Sequence, residues 1–189
     1  MTGKSIFLAS AALSAALLLS PAALKAATQS CACSPKTATT EDVAKELSQF
    51  KTKALQVRRE AGILKSFTPN SRMHWQSHTA YLGTLRKHVN DMGQILARLE
   101  EMRPAATGPQ QLAIDNARPH LVAIADQLGR AIGMVNEDRS SVKWSPYSQT
   151  VAELSEHTGS LYEKVDTILN YEDAETRLNS LELLTQSES

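Results

Sequence analysis

The chain has 189 residues, enough for one domain with its own hydrophobic core. Twenty basic residues balance twenty acidic ones and no Lys/Arg run occurs, so the chain offers no electrostatic footprint for nucleic acid. A basic helix face for an anionic membrane surface is missing for the same reason.

The chain opens with Lys4, then a mostly apolar run from Ile6 to Leu19, then Ser20-Pro21 and a small-residue zone ending at Ala26-Ala27. Basic start, apolar middle and small-residue exit predict a signal peptide over residues 1–26, cut after Ala26 or Ala27. Leu24 and Lys25 spoil a clean Ala-x-Ala at that exit. The apolar run is about 14 residues, shorter than the roughly 20 a spanning helix needs, and no later run is longer. Cleavage removes Lys4 and Lys25 and leaves 18 basic against 20 acidic residues. The Ala/Leu-rich leader is of a bacterial kind, so the expected location is the periplasm or the outside of the cell.

Residues 27–39 read as a short flexible, disordered tail that carries Cys31 and Cys33. In an oxidising compartment a Cys-x-Cys pair can bridge within itself or between chains, or hold a soft metal such as copper(I). A lipid-anchored form is disfavoured, because Thr28-Gln29-Ser30 lack the apolar residue that a lipoprotein signal needs before its cysteine.

Four stretches then share one period. Thr39-Thr40-Glu41-Asp42 is a helix start, followed by Val43, Leu47, Phe50, Ala54, Val57, Ala61 and Leu64 in alternating steps of four and three. Pro69-Asn70-Ser71 breaks the pattern and offers the next cap. The second stripe is Trp75, His78, Leu82, Leu85, Val89, Met92, Leu96 and Leu99, and it stops at Pro104. Thr107-Gly108-Pro109 supplies loop, cap and first-turn proline. In the third stretch Leu112, Ala117, Leu121, Ile124, Leu128, Ile132 and Val135 are expected inward, with a kink before Pro119. Gly129 and Gly133 mark a small-residue groove on that helix. Ser145-Pro146 starts the fourth, with Val151, Leu154, Thr158, Leu161, Val165 and Ile168 as its stripe.

The expected fold is all-α, an up-down-up-down antiparallel four-helix bundle over 40–184, with helices at about 40–66, 72–103, 109–138 and 146–184. On such a layout residue 60 should lie level with 78, 132 and 151, and the first helix should begin opposite residue 170. Leu178, Leu181 and Leu184 then overhang the bundle end. Three readings are open: residues 31–40 cover them, a second chain (a further copy or an envelope protein) covers them, or the terminus is simply frayed.

Chemistry has few places to sit. His74 and His78 are four apart on one side of the second helix, and His78 occupies a seam position. One reading is a buried polar layer with His78 hydrogen-bonded across the seam. The alternative is a transition-metal or haem site using His78 with His74, Met134 or Glu60. Glu153 and His157 are spaced by four, so they depart from the Glu-x-x-His repeat of di-iron bundles, and no Cys-x-x-Cys-His offers covalent haem attachment. No Gly-x-Ser-x-Gly or phosphate loop occurs, and the two cysteines have no positioned partner, so no catalysis is expected. A small-ligand pocket, if present, is expected near Trp75, Trp144 and Tyr147.

Overall fold

The computed structural model describes residues 38–70 and 73–187; the expected leader, Cys31 and Cys33 lie outside them. Four helices account for nearly all of the described chain: α1 (Thr40–Phe67), α2 (Trp75–Met102), α3 (Gly108–Glu137) and α4 (Ser145–Ser187). Single 3₁₀ turns at Arg103–Ala105 and Arg139–Lys143 lie in the last two connections. No strand is found among the described residues. None of these helices is long and apolar enough to cross a membrane.

Local chemistry sets the ends. The Thr39 hydroxyl accepts from the Asp42 amide at 3.2 Å, and the Asp42 carboxylate accepts from the Thr39 amide at 3.0 Å. Two orphan donors are thereby satisfied in one reciprocal box. Thr107 and Gln110 repeat the device at α3, with a proline in the first turn where no donor is lost. The second helix departs from expectation. It starts at Trp75 with His74 as its cap, three residues later than the sequence pattern placed it, and Ser71 lies outside the described residues. His74 gives no side-chain capping bond. Turn bonds to the Phe67 and Asn70 carbonyls occupy the chain between the helices. At the third, the helix runs unbroken through Pro119.

The seam of α1 is as expected: Val43, Leu47, Phe50, Ala54, Val57, Ala61 and Leu64 are all buried. On α2 and α4 the buried sets are led by Leu82, Leu85, Met92 and Leu99, and by Tyr147, Val151, Leu154, Leu161 and Val165. Each such side chain contributes about 1.5–3 kcal/mol through removal of apolar surface from water. On α3 the expected phase is partly wrong. Leu112 is 53% exposed, while Gln110, Ala113, Ile114 and Ala117 are buried. The stripe runs 110, 114, 117, 121, 124, 128, 131, 135 in strict steps of four and three, and Leu112 falls between two of its members on the far side. Ala131 takes the inward place expected for Ile132, which is only partly buried.

Cross-helix polar pairs report the register. Glu46 meets Arg98, Lys53 meets Asp91 and Glu60 meets His88, so partner numbers fall on α2 as they rise on α1. Lys51–Asp166 and Arg58–Glu163 do the same between α1 and α4, and Arg103–Asp115 with Glu100–Arg118 between α2 and α3. Solvent-exposed pairs of this kind contribute little to stability, so they mark alignment rather than hold it.

Candidate functional site

His78 is 1% exposed and faces α4, where its Nδ1 lies 3.0 Å from the hydroxyl of Tyr147. Tyr147 is itself fully buried. The two rings meet edge to face at 5.4 Å between centroids, and Phe67 closes on His78 in the same way at 5.9 Å. Burial away from water disfavours charge on both groups: it pushes the His78 imidazole below its ordinary value and the Tyr147 phenol well above its own. The pair is a neutral, satisfied polar layer at the end of the core. Tyr147 lies in phase with Val151 and Leu154, which turns it inward, but no period within one helix names it as the partner of His78.

The other proposed ligands are elsewhere. Glu60 does not stand level with His78; its Oε1 lies 3.3 Å from His88 Nε2, and Phe67 is the α1 residue beside His78. The expected alignment erred by about two turns, because α2 starts late and the intervening turn adds length. His74 is exposed at the start of α2 and Met134 packs partly buried against the core. Among the described residues no hydrogen bond or ion pair joins His78 to Glu60, His74 or Met134. Within that same set no three of His, Cys, Asp and Glu come together in a way that could hold a metal ion.

Glu60 and His88 form a second half-buried pair that sequence reasoning treated as unrelated positions. Glu60 Oε2 and His88 Nδ1 are both buried without a hydrogen-bond partner in the structure. Glu153 accepts hydrogen bonds from Gln127 at 2.9 Å and Gln149 at 3.2 Å. His120 is held below the ordinary histidine value by burial first, and then by Lys164 and His157.

Two concave surfaces flank these groups. Near the start of α2, the Arg139 guanidinium stacks over Trp75 at 4.3 Å, and His74 and Lys143 line the same cleft. Trp144 is half exposed and outside it. A shallow groove runs between α2 and α3 past Val89, Gly93, Ala97, Leu121 and Ala125, and the Glu100–Arg118 pair lies at one end. A Cβ added at Gly129 or Gly133 would meet nothing within 4 Å, so these glycines do not serve a close approach inside the chain.

A row of exposed large apolar side chains lies at the other end of α4. Thr107 donates to the Glu172 carboxylate at 2.7 Å, and Thr40 donates to the Ala105 carbonyl at 3.0 Å; these bonds mark where the bundle stops. Every residue from Asp173 to Gln186 is exposed. At 1.5 Å per residue this is an extension of about 20 Å. It carries Leu178 (62% exposed), Leu181 (59%), Leu183 (68%) and Leu184 (62%). Tyr171, 64% exposed, stands at its base.

No protein-family model, curated protein or solved structure matches the chain. The functional reading therefore rests on the residues themselves.

Proposed function

We propose that the chain is an exported, non-catalytic binding module that docks other helices, a second copy of itself first among them, through the α4 extension. The observation that carries this is the set of exposed leucines on a helix that has left its bundle. A continuous helix of this length has no packing reason to persist for four turns into water. A stripe of large apolar side chains on it gains stability only when another surface covers it.

Several features support the rest of the reading. The falling partner numbers across α1–α2, α1–α4 and α2–α3 favour the up-down-up-down antiparallel arrangement. The leader-like composition of residues 1–26 supports export to the periplasm or beyond. The commitment of His78 to Tyr147, and of Glu60 to His88, favours structural roles for the groups that a metal or haem would use.

The test is light scattering on the full chain and on its Leu178→Glu/Leu181→Glu form. Both positions are exposed and outside the core, so the bundle itself should stay folded. The wild-type mass should rise with concentration and the variant should stay a monomer. A wild-type protein that is monomeric at the highest soluble concentration, or a complex indifferent to the two substitutions, would refute the reading. Export has its own check: the mature chain should begin at residue 27 or 28 by intact mass.

A further inference from the structure

The extension has its own stripe, distinct from the core stripe of α4. Tyr171, Ala174, Leu178 and Leu181 follow one another in steps of three, four and three. At 100° per residue they face more than about 100° away from the line through Val165, Ile168 and Glu172. A partner on this stripe therefore approaches from the side opposite the chain's own bundle. The same phase upstream reads Thr167, Lys164, Ser160 and His157, so the apolar stripe begins where the bundle ends.

Charge sets the direction. With Tyr171 and Leu178 at a, and Ala174 and Leu181 at d, Arg177 falls at g and Glu182 at e. The two residues are five apart, about 140° around the helix, so they flank the stripe and cannot pair within one chain. Both are exposed, and neither has an ion-pair partner among the described residues. Five residues from g to e is the spacing at which two parallel helices pair across a seam. An antiparallel arrangement turns the same flank on itself and brings Glu175 toward Glu182 of the other chain, a like-charge contact.

We propose that the extension pairs in parallel with that of a second copy, with Leu178 and Leu181 in the seam and Arg177 of each chain against Glu182 of the other. This rests on the reading of the extension as the docking element. The bundle helps, because α4 is already nucleated and a short seam does not have to form a helix from coil. Two bundles then sit side by side and point the same way.

The experiment uses the full chain and a charge exchange. Arg177→Glu and Glu182→Arg, each alone, should weaken dimerisation about tenfold, since each places two like-charge contacts in one dimer. The double variant should return to within about threefold of the wild type. In a Cys31→Ser/Cys33→Ser background, Ala174→Cys chains should be joined by a short bismaleimide, because a parallel seam sets residue 174 against itself. A dimer that Leu178→Glu/Leu181→Glu abolishes, but that the double exchange fails to rescue and residue 174 fails to bridge, would overturn the parallel register alone. A wild-type monomer would overturn both the register and the self-docking it rests on, and would leave the chain's own N-terminal residues or an unlike helix as the occupant.

Discussion

Tyr147→Phe removes one oxygen from a fully buried ring and leaves the ring in place. Its edge-to-face contact with His78, at 5.4 Å, should survive. What is lost is the 3.0 Å hydrogen bond to His78 Nδ1, in a layer closed to water. Leaving one buried polar group unsatisfied costs about 1–3 kcal/mol, more than the net worth of the bond itself. In a domain of this size that is about 3–10 °C of melting temperature. His78→Leu should cost a similar amount, because it strands the Tyr147 hydroxyl. The double variant removes both polar groups together, so it should lose less than the sum of the two single losses, by 1 kcal/mol or more. Thermal and urea unfolding followed by circular dichroism at 222 nm measure all four proteins. Additive losses, within about 0.5 kcal/mol, would show that the two groups do not depend on each other and would refute the polar-layer argument.

Other outcomes follow from the same structure. Burial holds His78 below its ordinary value of about 6.5, and His120 likewise, so between the folded and unfolded values the unfolded chain binds more protons. Stability should therefore be full above pH 6.5 and decline as the pH falls below it; a urea midpoint that stays level between pH 7.5 and 5 would contradict this. Ile114→Ala should cost about 2–5 kcal/mol because the side chain is buried, whereas Leu112→Ala should stay within about 0.5 kcal/mol; equal effects would mean that the α3 stripe has the other phase. Gly129→Ala should raise stability by about 0.5–1 kcal/mol, since a Cβ there meets nothing and glycine weakens a helix interior; a loss would reveal a neighbour that the structure does not place there. Protein purified without an affinity tag should be colourless and free of stoichiometric metal, and a haem band abolished by His78→Ala would restore the cofactor reading.

The four helices were legible because steps of four and three persist across each of them, and because Thr39 and Thr107 carry side chains that can close a cap. The phase of α3 was misread where size was preferred to spacing. Leu112 is larger than Ala113, yet its angular position is outward, and solvent exposure of one leucine costs little. The site was harder to read because alignment between helices depends on loops. A late start to α2 moved the partner of Glu60 from His78 to His88, and no period within one helix could show that. Overhang of α4 was legible, since α1 begins at Thr40 while the helical pattern of α4 continues past Leu178. The pairing of His78 with Tyr147 needed the fold, because it joins residues 69 apart in the chain.

The most direct test of the central claim is hydrogen exchange along residues 173–186, measured by mass spectrometry at low and high protein concentration. If the extension is a docking element, its amides should become slower to exchange as concentration rises, and Leu178→Glu/Leu181→Glu should remove that dependence while α1 to α3 stay protected. Fast exchange that is the same at every concentration and in both proteins would show an extension that nothing of its own kind covers, and would contradict the account.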